Sequence, residues 1–186
     1  MTLTLEAPAA TPAVEPAPQP AAAAPQETTP HDILLIAYSG ELEKIWALMV
    51  LASSAAAMGA TCRVFVTFWA LQAFVKDERR VTGNNWMQKL LALMQRPGIS
   101  HRKLSKMDFF GMGPWMMNSL RRKNHVASPK ELLEVAQSMG VEFIPCQMTM
   151  DLYGLTRGDL IDGMAEPVGA ASVIALMQQG SAPLFI

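Results

Sequence analysis

Short apolar runs alternate along this chain with longer segments of helical composition, and that alternation predicts its elements. Ile33-Leu-Leu-Ile-Ala-Tyr38 reads as a buried strand, followed by Ser39-Gly40 as a turn. Glu41 to Met58 has the length and composition of an α-helix, and Gly59 stops it. Cys62 to Phe68 reads as a second strand, with a short helix, Trp69 to Phe74, at its carboxyl end. Strand, helix, strand is the unit from which parallel sheets with right-handed crossovers are built.

The regular pattern returns at Ser128, which caps a helix with Pro129 in its first turn and Glu131 placed for a capping box. That helix runs to Gly140 and leads into the strand Val141 to Ile144, which ends at Pro145. Gln147 to Tyr153 is then helical and closes at Gly154. Thr156 caps a short helix through Ile161, Glu166-Pro-Val168 is a candidate edge strand, Gly169 to Gln179 is helical, and Pro183 to Ile186 is a last strand. The sum is an open, mostly parallel α/β sheet with helices on both faces.

Residues 76–126 interrupt this plan as an insertion. Helices are expected at Asn85 to Gln95 and, starting with proline in its first turn, at Pro114 to Lys123. Between them, Leu104 to Met117 is dense in methionine and aromatic residues, which suits a lid, an oligomer contact, a docking face or plain cover for the sheet.

Composition limits the functions on offer. The chain has 186 residues, 51% hydrophobic and 17% charged, enough for one core. The expected division is a disordered Ala/Pro-rich tail over 1–30 and one domain over 31–186. The tail has no basic start or continuous apolar stretch, so neither a secretory signal nor a transit peptide is expected. A net charge of -1 gives no general attraction to nucleic acid or anionic lipid. The apolar run in the first helix is interrupted by Ser53 and Ser54, so no membrane span is expected. Two cysteines cannot form a disulfide framework and lack zinc-type spacing, which fits a reducing compartment.

The candidate for chemistry is Cys146, delivered by a strand and placed at or near the start of a helix. Sites of α/β folds lie at the carboxyl ends of parallel strands, and the N–H groups and dipole of a helix N-terminus favour a thiolate. Against this stands the ordinary burial of free cysteine. Cys62, at the start of a strand, reads as a core residue. His31, His101 and His125 are scattered, and no Cys/His dyad follows from their positions. The Arg121-Arg-Lys-Asn-His125 cluster complements a helix C-terminus and could also attract an anionic group. A Cu(I) site on Met107, Met112, Met116 and Met117 is set aside in favour of packing, so no metal is expected. Nucleotide or flavin binding is set aside as well, because the turn Tyr38 to Glu43 lacks a glycine-rich cradle and carries two carboxylates. No cofactor is expected.

Four stretches together carry a resemblance: Cys-Gln-Met-Thr-Met-Asp-Leu-Tyr-Gly from Cys146, Leu-Ser-Lys-Met-Asp-Phe-Phe-Gly-Met-Gly from Leu104, Phe-Val-Thr-Phe-Trp from Phe65, and Gly-Asp-Leu-Ile-Asp-Gly from Gly158. Over residues 31–186 the chain resembles the DsrE/DsrF-like family, in its branch with a Met-rich insertion. Tyr153 and Phe109-Phe110 depart from that branch's commoner residues. The resemblance implies a flavodoxin-like fold, homo- or hetero-oligomers with a homo-oligomer expected here, and a cytoplasmic sulfur carrier that holds sulfane sulfur as a persulfide on Cys146. It implies sulfur-donor and sulfur-acceptor proteins as partners. The rival reading is a non-catalytic oligomeric adaptor in which Cys146 is incidental.

Overall fold

The computed structural model describes residues 32–78, 85–94, 97–104, 112–179 and 182–186. The expected tail and the middle of the Met-rich stretch, with Met107, Phe109 and Phe110, lie outside the described residues. Four strands, β1 (Ile33–Ala37), β2 (Cys62–Val66), β3 (Glu142–Pro145) and β4 (Ala182–Phe185), form one sheet in the order β3-β2-β1-β4. Every pairing is parallel, with Ile33 opposite Cys62, Arg63 opposite Glu142 and Ile33 opposite Ala182. The expected short edge strand is present as two isolated parallel bridges beside β3, Phe143 with Met164 and Cys146 with Val168.

Seven α-helices occur among the described residues: α1 (Leu42–Ala57), α2 (Phe68–Leu71), α3 (Trp86–Met94), α4 (Met112–Lys123), α5 (Pro129–Ser138), α6 (Gln147–Tyr153) and α7 (Ala170–Gln178). The expected 69–74 and 156–161 helices are partly 3₁₀ turns, at Gln72–Phe74 and Arg157–Asp159. The stops and caps are where the residue types demand them. Ser128 Oγ accepts from the Glu131 N–H and Glu131 answers the Ser128 N–H, while Gly154 adopts φ 65 and ψ 36 to end α6. None of the helices described is long and apolar enough to cross a membrane.

The sheet is covered on both sides, as parallel sheets require. One core joins Leu35, Val64, Val66 and Phe143 to Ile45, Leu48 and Met49 of α1 and Leu133 and Ala136 of α5. The other joins Leu34, Phe65, Ile144 and Cys146 to Val173 of α7. The strand order doubles back between β1 and β4, so the crevice typical of such folds opens at their carboxyl ends. Aromatic rings flank it there: Tyr38 lies 5.6 Å from Phe68 and 5.9 Å from Phe185. The architecture is the open α/β, flavodoxin-like sheet expected, with the insertion contributing α3 and α4.

Cys62 sits in the α1/α5 core, 3% exposed, and burial pushes its thiol up to about 11 from an ordinary 9.0. A raised folded pKa means the unfolded chain ionises first. The stability this thiol contributes is therefore complete below pH 9 and is lost as pH rises toward 11. Urea midpoints at about pH 8 and about pH 10.5 should fall more in wild type than in Cys62→Ala, itself less stable at the lower pH. Parallel declines would mean that Cys62 does not titrate differentially.

Candidate functional site

Cys146 follows the last residue of β3, and its backbone continues the sheet by one step. Its N–H donates to the Val66 carbonyl at 2.9 Å, and its own carbonyl accepts from the Met150 N–H at 3.0 Å, which makes it the N-cap residue of α6. Pro145 therefore does not end the ladder: it lacks an N–H, but the next residue supplies one, and the Pro145 carbonyl accepts from the Val168 N–H.

The side chain of Cys146 does not face an open crevice. It is 3% exposed and packs in the α7-side core with Ile144, Phe65 and Val173, flanked by Ala165, Val168 and Leu176. Cys62 belongs to the core on the other face of the sheet, so the two thiols are not brought together. Of the helix-end N–H groups expected to stabilise the sulfur, near Gln147 and Met148, that of Gln147 is taken by the Val168 carbonyl at 3.0 Å. That bond arises because the 164–168 segment runs parallel to β3 and uses the first N–H of α6 as its own ladder partner.

A polar lock sits beneath α6. Thr149 is fully buried; its hydroxyl is 3.1 Å from that of Thr67 and accepts the Phe68 N–H at 3.1 Å. Phe68 holds φ 45, a conformation unfavourable for a bulky residue and maintained here by its surroundings. Thr149 thereby ties the start of α6 to the turn after β2 and fixes where Cys146 leaves the sheet. Its only trace in the sequence is a threonine inside a helix, which has many ordinary explanations.

The described parts of the insertion lie elsewhere than over the thiol. Gln88 of α3 donates to the carbonyls of Asp151 and Leu152 at the far end of α6, both at 3.2 Å. Trp86 of α3 and Trp115 of α4 are 74% and 69% exposed, and Met112 and Met116 are exposed too. What covers Cys146 is the 164–168 segment and α7. His125 is an exposed residue in the turn after α4, not a member of the core around Cys146. Tyr153 is buried with its ring 6.1 Å from Trp69, a packing residue at the end of α6. Glu41, in the turn after β1, is held below the usual carboxylate range by hydrogen bonds from Lys44 and then Ser39.

A sequence model of the DsrE/DsrF/DrsH-like family matches residues 29–185. The chain is 36% identical over 152 residues to the uncharacterized protein YrkE of Bacillus subtilis, spanning 82% of this chain and 94% of YrkE. It is 33% identical over 157 residues to the sulfur carrier protein DsrE2 of Allochromatium vinosum, spanning 83% of this chain and 97% of that protein. Among solved structures it is similar to the protein of unknown function MTH1491 from Methanobacterium thermoautotrophicum, with TM-score 0.45, 11% identity and coverage of 84% and 99%. It is also similar to the ychN protein from E. coli, with TM-score 0.49, 12% identity and coverage of 84% and 99%.

Proposed function

The chain belongs to the DsrE/DsrF/DrsH-like family, and on that footing we propose that it is a sulfur carrier that holds sulfane sulfur as a persulfide on Cys146. The observation that carries this reading is a cysteine at the carboxyl end of a parallel strand, capping the helix that follows, in a chain similar to a named sulfur carrier. The Cys146 thiolate attacks the outer sulfur of a donor persulfide R–S–SH. The donor's S–S bond breaks, its inner sulfur leaves as a thiolate, and Cys146–S–SH forms. An acceptor thiolate then attacks that outer sulfur and releases the Cys146 thiolate. One thiol suffices for both steps. Donor and acceptor are cysteine-bearing proteins, and a cytoplasmic setting keeps such thiols reduced.

Burial of the side chain adds a condition. Each transfer requires the 164–168 cover and α7 to move off the sulfur, and between transfers the same cover keeps water and oxidants from the persulfide. Homo-oligomers belong to the same reading, supported by the exposed indoles of Trp86 and Trp115. The adaptor reading has its own support in that burial, since a core thiol needs no chemistry.

Brief exposure to polysulfide followed by intact-protein mass spectrometry separates the two. Adducts of about 32 Da per sulfur atom are expected on wild type and on Cys62→Ser and not on Cys146→Ser. Equal loading of Cys146→Ser and wild type, or none on any form, sinks the carrier.

A further inference from the structure

On the other face of the sheet from Cys146, a cavity of about 260 Å³ lies between the first turns of α1, the turn at 99–102, α4 and the start of α5. Both α1, which leaves β1, and α5, which leads into β3, begin at the carboxyl edge of the sheet, so the cavity lies at that edge. Three cationic side chains from separate elements line it: Arg102, Arg121 and Lys130. No aspartate or glutamate is among its lining residues, although Asp77 and Glu131 act on Arg102 and Arg121 from outside it.

The cations are built into the fold to different degrees. Arg102 is the most enclosed: its Nε donates to the Gly98 carbonyl at 3.2 Å, and burial lowers its pKa while Asp77 raises it. Its Nη1 lies 3.4 Å from where a side chain on Gly40 would begin, and that chain would stand 2.3 Å from the Trp69 carbonyl. The turn after β1 therefore needs glycine to close down beside this guanidinium. Arg121 is 18% exposed, with its Nε on Asn118 and its Nη1 3.6 Å from Glu131. Of the basic residues in the last turn of α4, Arg121 is the one that lines the cavity. Lys130 is an exposed residue at the rim.

The remaining wall is mixed. Trp46, Ile99 and Met117 give an apolar side, and Ser100, Asn118 and Ser128 add neutral hydrogen-bonding groups. Two guanidinium forks and an ammonium suit an oxyanion of more than one charge, while an indole beside them suits a small apolar body. The volume is below the roughly 300–1,000 Å³ of drug-sized sites. We propose that this cavity binds a small organic dianion, a phosphate monoester with a compact apolar body, independently of the chemistry at Cys146.

Isothermal titration of the full chain with phenyl phosphate tests this at about 10 mM ionic strength, where the Debye length is roughly 30 Å. The expected result is saturable binding with a Kd below about 1 mM. Lys130→Gln and Arg121→Gln should each weaken it by about tenfold or more, and benzoate should bind at least about tenfold less tightly. Lys130 is exposed, so its variant stays informative should Arg121→Gln misfold, which the melting curve without ligand would reveal. Cys146→Ser should bind as wild type does, which keeps this result separate from the fate of the carrier reading. Absence of saturable binding, equal affinity in wild type and Lys130→Gln, or benzoate binding as tightly as phenyl phosphate overturns the proposal.

Discussion

Phe143→Ala is expected to lower the unfolding free energy by about 3–5 kcal/mol, the typical cost of removing a buried phenyl ring. Phe143 has no exposed surface, stands on β3 and faces the α1/α5 core, with its ring 5.4 Å from that of Phe74. The loss combines the transfer of the ring, the cavity left behind, and an aromatic pair that adds roughly 0.5–1.5 kcal/mol. Set against the roughly 5–15 kcal/mol of a typical domain, this is a large share. Urea unfolding should show a lower midpoint at an unchanged slope. Phe185→Ala is the control: that ring is on the edge strand β4 and mostly exposed, with Tyr38 5.9 Å away, so a loss of about 1 kcal/mol at most is expected. A Phe143→Ala loss no larger than that of Phe185→Ala would mean that β3 is not anchored by its inner face, and the placement of Cys146 would need another cause.

The strands were legible because a parallel sheet covered on both faces demands continuous apolar runs, and Ile33 to Ala37 and Val64 to Val66 are such runs. The same property hid what mattered about Cys146. A strand apolar on both faces has no alternation, so nothing in Val-Glu-Phe-Ile-Pro-Cys indicates which core receives the thiol. The end caps, Ser128 and Gly154, were legible because few residue types satisfy those backbone positions. The cover over the thiol was only half legible. Met164 to Val168 meets β3 at isolated bridges, and its hold on the Gln147 N–H is a long-range pairing that composition does not encode. The cationic cavity was not legible at all, since Arg102, Arg121 and Lys130 converge only through tertiary packing.

Val173→Ala should raise the alkylation rate of Cys146 in the folded protein by about 30-fold, and Cys146 should react faster than Cys62 in wild type and variant alike. Val173 is the buried contact of α7 in the core that holds Cys146, and trimming it to alanine removes about 2 kcal/mol of packing. If the thiol reacts only when the 164–168 segment and α7 lift, its rate follows the population of that open form. A loss felt wholly by the closed form then converts to the stated factor, at tenfold for each 1.4 kcal/mol. Cys62 is held by α1 and α5 on the other face and reports global unfolding, which the lost packing also favours, so the ratio of the two rates within one sample separates local from global opening. Iodoacetamide labelling followed by peptide mass spectrometry reads both sites in one sample. Cys146 reacting no faster than Cys62 would mean that Cys146 is reached only through global unfolding, and a carrier sealed that firmly could not exchange sulfur at the rate of a relay. Cys146 reacting well ahead of Cys62, and faster still in Val173→Ala, would instead identify α7 as the part of the fold whose looseness sets how often the sulfur is offered.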